Sequence, residues 1–256
     1  MNLNPRPLRA ADGATTRRPH FTWRGGVAAL AAFVLGAAML TIGGSAAALN
    51  GNRTGPLDRR GFPAYYVDEA GRAVQMCDDG SAVCLGARRR DLRPPDGEAL
   101  YWSAVTTMRT RRGPLEVEFA LEAAFEGSRP VVFRRVRIRG HLGRRGTYVL
   151  HHPYGNLRFA AITPREQRNV NVTHDNRCSI RGGRCAPRMT RWLRSTSRRG
   201  HYLGRTRRTR VTGGTLRNSI SVEAPNGRII GRKARFRVIG KACGRPCRAR
   251  ARRAAR

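Results

Sequence analysis

Apolar and polar residues alternate with a period of two along much of the chain. In LEVEFALEAAF, Leu115, Val117, Phe119, Leu121, Ala123 and Phe125 alternate with Glu116, Glu118, Ala120, Glu122 and Ala124. That is the pattern of a strand with one dry face. The second half, ALEAAF, also has good helix propensity, so alternation alone carries the strand to about Leu121. In VVFRRVRIRG, Val136 and Ile138 alternate with Arg135, Arg137 and Arg139, while Phe133 falls out of phase. A bulge near Arg134 would reconcile them. AYYVDEAGRAVQMC (64–77) sets two β-favouring runs around a turn ending in Gly71, which predicts a hairpin. ARRRDLRPPDGE (87–98) is a polar, proline-bearing connection. Toward the end, NSISVEA and RKARFRVIG flank the turn-prone Pro225–Gly227. Ile220, Val222 and Ala224 share one face, as do Ala234, Phe236 and Val238. These patterns predict a mainly β, antiparallel fold.

Leu142, Gly146 and Tyr148 in HLGRRGTYVL refine that expectation. They resemble the loop-to-strand corner of immunoglobulin-like and fibronectin-like β-sandwiches, where a tyrosine hydroxyl bonds back to upstream backbone. In the strand that follows, Tyr148, Leu150 and His152 share a face, and Val149 and His151 share the other. Neighbouring strand side chains point apart, so one metal ion cannot easily take both histidines. The expectation is a half-buried His152 at a strand end and a solvent-facing His151.

The first residues carry a different signal. Arg6, Arg9, Arg17, Arg18 and Arg24 precede the uncharged Val27–Ile42, and Ala46 and Ala48 fit an A-x-A cleavage site. A 16-residue helix spans about 24 Å against a hydrocarbon core of about 30 Å, which favours a cleavable signal over an uncleaved membrane anchor. Twin arginines at 17 and 18 leave the export route open between two systems. The expected organisation is a signal or anchor at 1–48, a linker at 49–60, a β-rich domain at 61–242 and a basic tail at 243–256. The domain divides into a hairpin subdomain at 61–86 and a sandwich at 99–242. Six cysteines fall in three close pairs: Cys77 with Cys84, Cys178 with Cys185, and Cys243 with Cys247. Local disulfides pinning loops are the simplest connectivity, and the spacing suits zinc knuckles poorly.

Charge is the strongest compositional feature. The chain has 51 basic and 16 acidic residues, a net +35, and residues 151–256 hold 28 basic against 3 acidic groups. Such an excess calls for a polyanionic partner or a tolerant surface. Arg207, Arg208 and Arg210, with Arg248, Arg250, Arg252 and Arg253 of the tail, are the candidate polyanion-binding residues.

Catalytic and cofactor signatures are sparse. The sequence has no G-x-S-x-G elbow, H-E-x-x-H, P-loop or Rossmann fingerprint, and no cofactor or catalytic residue is expected. His174 and Asp175, between Asn171 and Asn176, read as a polar loop able to hold a cation or an acid–base pair. Glu116, Glu118 and Glu122 read as the wet side of a strand. Asn52 and Asn171 lie in N-x-[ST] triplets.

GFPAYYVDEAGRAVQMC, YWSA, LEAAF, FRRVRIR, TYVLHHPYG, VTGG, VEAPNG and FRVIGK occur in this order. Together they resemble a group of exported, β-rich bacterial proteins of unknown function over about residues 61–241. The resemblance implies export and β architecture and assigns no functional residue. Two functional expectations follow. One is a non-enzymatic envelope or secreted module adhering to anionic polymers or lipids. The other is a nucleic-acid binder, for which no base-reading motif is present. An exported hydrolase is a weaker third.

Overall fold

The computed structural model describes residues 53–161, 163–179, 191–198 and 200–244. The expected signal or anchor at 1–48, Cys185, Cys247 and the rest of the tail from residue 245 lie outside the described residues. Strands make up 54% of the structure, which makes the fold mainly β.

In chain order the elements begin with β1 (Arg53–Thr54), β2 (Tyr65–Val67), β3 (Ala73–Gln75), β4 (Glu98–Thr110), β5 (Gly113–Glu126) and β6 (Arg129–Gly140). Next come β7 (Gly146–His152), β8 (Gly155–Ala161), the one-turn helix α1 (Pro164–Arg168) and β9 (Val170–Ser179). The chain then forms β10 (Arg194–Ser195), β11 (Thr209–Thr212), β12 (Ile220–Glu223), β13 (Ile229–Lys233) and β14 (Arg235–Ala242). A ten-stranded antiparallel sheet runs β1-β2-β3-β14-β4-β5-β6-β9, with β10 and β11 attached through β14, and curls into a half-barrel. The second sheet runs β13-β12-β7-β8. Apolar residues of both sheets form one core.

The long β4–β5–β6 meander is the frame. Leu115, Val117, Phe119, Leu121 and Ala123 of β5 are fully buried. The strand continues to Glu126 despite the helix propensity of ALEAAF, because β4 and β6 pair with it along its whole length. Ala120 and Ala124 are buried on its opposite face as well. A lone helix could not satisfy two packed faces and two ladders together.

The expected bulge near Arg134 is absent: β6 keeps an unbroken register with both β5 and β9. Phe133 instead packs on the outer face with Ala124 and Val131, and the Arg135 guanidinium lies 4.7 Å from its ring centre. The irregularity falls in β4, between Leu100 and Trp102, and lets the consecutive Tyr101 and Trp102 both be buried.

The hairpin around Gly71 forms as β2–β3, and β3 pairs with β14, so it joins the large sheet. The C-terminal pattern needs a correction. NSISVEA pairs with IIGRK as β12–β13, and the chain then leaves through an exposed Ala234 to enter the other sheet as β14. Phe236 and Val238 are buried as the alternation predicts.

Cys77 and Cys84 form a disulfide with a Cα separation of 5.2 Å, and Cys243 is also disulfide-bonded. Cys178 lies on β9 with its side chain outside the description. A ring of about 8 residues stabilises by about 2.5 kcal/mol in the loop-entropy account. Replacing Cys77 and Cys84 together by alanine should therefore lower the urea-unfolding free energy by about that amount. A loss under about 0.5 kcal/mol would mean that the backbone bonds Cys77 N–H to Leu100 O and Gly80 N–H to Ala87 O hold the loop alone.

Candidate functional site

Two surface features gather functional groups. The first is a basic groove on the large sheet. In the β11–β14 pairing Arg210 stands directly opposite Arg235. Like charges in that position repel and cost stability. Arg207, Arg208, Arg210 and Arg235, with Thr196 and Ser197, line a groove of about 440 Å³. Arg208 Nη2 donates to Thr107 Oγ1 at 2.6 Å, and Arg205 Nε donates to the Ser197 carbonyl at 2.6 Å, which fixes the rim. All four groove arginines are exposed, and among the described residues none of them enters an ion pair with a carboxylate.

Several arginines elsewhere are neutralised. Arg135 Nη1 reaches Glu122 at 2.9 Å, and its Nε and Nη2 hold both oxygens of Asp175 at 2.9 Å. Arg137 lies 3.7 Å from Glu118, and Arg60 lies 2.8 Å from Asp58. The expected wet glutamate face is thus only partly wet. Glu116 is exposed, but Glu122 is 5% exposed, and burial pushes its carboxyl up to about 7 against the attraction of Arg135. These carboxylates are partners of arginine and form no facing acid pair.

The second feature is a cleft of about 460 Å³ where the end of the β7–β8 hairpin meets β5, β6 and β9. Arg134 pairs in register with Asn176, and Val136 with His174, so these four share the inner face of β6 and β9. Here the polar-loop expectation for His174 and Asp175 is overturned. Both sit on β9, and Asp175 turns to the outer face to meet Arg135. Alternation separates them, and they form no acid–base pair.

The hairpin brings His152 to the same cleft. It is 6% exposed, stacks on Phe119 with ring centres 5.2 Å apart, and accepts the Tyr154 N–H at Nδ1 over 3.2 Å. Burial, reinforced by Arg134, Arg217 and His151, takes its pKa down to about 4. His151 points away, but into company: Nε2 donates to Glu223 at 2.9 Å and Nδ1 lies 3.0 Å from Asn156 Oδ1. The Tyr148 hydroxyl donates to the Arg144 carbonyl at 2.7 Å, fixing the corner from which β7 starts. Among the described residues no group of His, Cys, Asp and Glu could hold a metal ion.

Of the residues singled out in sequence, Arg207, Arg208 and Arg210 come together in the groove. Arg248, Arg250, Arg252 and Arg253 lie outside the described residues. Sequence reading missed Arg235, brought in by the β11–β14 register, and Thr196 and Ser197, brought in by the β10–β11 pairing. No family model, curated protein or solved structure matches the chain.

Proposed function

We propose that this is an exported envelope or secreted module, without enzymatic activity, whose basic C-terminal half adheres to anionic polymers or lipids. One observation carries the reading: Arg207, Arg208, Arg210 and Arg235 line one groove, with Arg210 directly opposite Arg235. Their repulsion is relieved when an anion enters between them. Export is supported by the uncharged Val27–Ile42 behind five arginines, by the Cys77–Cys84 disulfide, and by the resemblance to exported β-rich bacterial proteins. The immunoglobulin-like or fibronectin-like reading of the sandwich is supported by the Tyr148–Arg144 bond. The long β4–β5–β6 meander departs from that pattern.

Base-reading receives less support than general adhesion. Stacking platforms need exposed aromatics. Trp192 is fully buried with its Nε1 donating to the Arg72 carbonyl, and the Tyr202 hydroxyl is engaged with Asp79. The test is equilibrium binding to a polyphosphate chain at about 100 mM salt. Replacing Arg207, Arg208 and Arg210 together by alanine should weaken it by about tenfold or more, since each lost phosphate contact removes a released counterion. Unchanged affinity would move adhesion off the groove, and a preference for one DNA sequence would favour nucleic-acid recognition.

A further inference from the structure

The cleft between the β7–β8 hairpin and the inner face of β6 and β9 is independent of the arginine groove, and its chemistry is different. Its walls combine a half-buried guanidinium, Arg134, with imidazoles from His152 and His174 and the amide of Asn176. Phe119 and Leu157 supply apolar lining. At about 460 Å³ the space falls within the range that holds small organic ligands.

The protonation of His152 follows from its contacts. Nδ1 accepts the Tyr154 N–H, so in the neutral ring the proton sits on Nε2. That N–H has no hydrogen-bond partner among the described residues. His152 is thus a fixed donor in the cleft wall. The guanidinium groups of Arg134 and Arg217 act on it with one sign. Asp175 is the carboxylate of the cleft lining, and both its oxygens are held by Arg135, which lines the cleft beside it. With Asp175 matched by Arg135, Arg134 adds net positive charge to a wall whose His152 and Asn176 donors are neutral. A planar fork such as Arg134 matches a carboxylate, and neutral donors suit hydroxyl groups beside it.

We propose that this cleft binds a small ring compound carrying one carboxylate, of the uronic-acid class, with the carboxylate on Arg134 and ring hydroxyls on His152, His174 and Asn176. The ring's apolar face lies toward Leu157. Phosphate monoesters fit less well, because a second negative charge would face neutral donors.

Glucuronate is the probe, glucose its uncharged counterpart and inorganic phosphate the competing anion. Titration calorimetry on the whole protein should show glucuronate binding at least about tenfold more tightly than glucose. Arg134→Gln should weaken glucuronate by about tenfold or more, and His174→Ala by several-fold. His174 is exposed on β9, so its variant decides the matter if Arg134→Gln does not fold. The triple groove variant should leave glucuronate binding unchanged, which separates this site from the polymer groove. Equal binding of glucose, tighter binding of phosphate, or indifference to His174→Ala would overturn the proposal.

Discussion

Stability of the wild-type protein should fall relative to a Glu122→Gln variant as pH rises, by about 3 kcal/mol across the titration of this one carboxyl. Glu122 lies in the middle of the large sheet, 5% exposed, with Arg135 Nη1 at 2.9 Å. Burial outweighs that attraction and moves its carboxyl from 4.5 to about 7. Between those values the folded state binds more protons than the unfolded one, so stability declines through the window and is flat above it. His152 acts in the opposite sense. Its pKa falls from 6.5 to about 4, so the folded state binds fewer protons there and stability rises with pH through that interval. The two slopes oppose each other in the wild type. In Glu122→Gln the His152 slope is left, and the variant's urea-unfolding free energy should rise from pH 4 to pH 6.5. Parallel profiles for the two proteins would mean that the Glu122 carboxyl titrates alike in the folded and unfolded states.

Trp102→Ala should cost about 3–5 kcal/mol, the range for truncating a large buried aromatic. Trp102 is fully buried on β4 beside the bulge, its ring centre 5.7 Å from that of Trp192 and 6.0 Å from that of Tyr154. Its Nε1 donates to the Leu193 carbonyl at 2.9 Å. The residue across the ladder, Gly240, has φ +151°, and a Cβ there would come within 3.3 Å of the indole and 2.8 Å of Leu203. The indole therefore fills space left by glycine and ties β4 to the segment before β10. Alanine leaves a cavity and an unmet carbonyl together. Trp102→Phe keeps part of the packing and should cost less. A cost under about 1 kcal/mol for alanine, read from chemical denaturation, would show that the site collapses around the smaller side chain.

Much of the fold was legible where burial falls on one face of a strand. The β2–β3 hairpin, the dry face of β5 and the outward His151 all follow from period-two alternation and a glycine turn. Alternation failed where both faces are covered. Phe133 reads as out of phase only if the outer face is taken to be wet, whereas it lies under Arg135 there. The bulge was sought on β6 and lies on β4, where two adjacent aromatics are buried. The site was legible to a smaller extent. Clustered arginine marked Arg207, Arg208 and Arg210, but their partner Arg235 is 25 or more residues away and comes close only through strand pairing. His152 and His174 stood out in the sequence only beside His151 and Asp175, from which alternation separates them, and Arg134 carried no local signal. They meet because β9 pairs with β6 and the β7–β8 hairpin lies over that pair.

The salt dependence of polymer binding tests the central claim most directly. Log affinity for duplex DNA, used as a generic polyanion, should fall linearly with log salt at about −0.9 per phosphate neutralised. With Arg207, Arg208 and Arg210 changed to alanine, the slope should be shallower by about 2 to 3 units, whatever the DNA sequence. Identical slopes for the two proteins would show that the groove neutralises no phosphate, and would contradict the account.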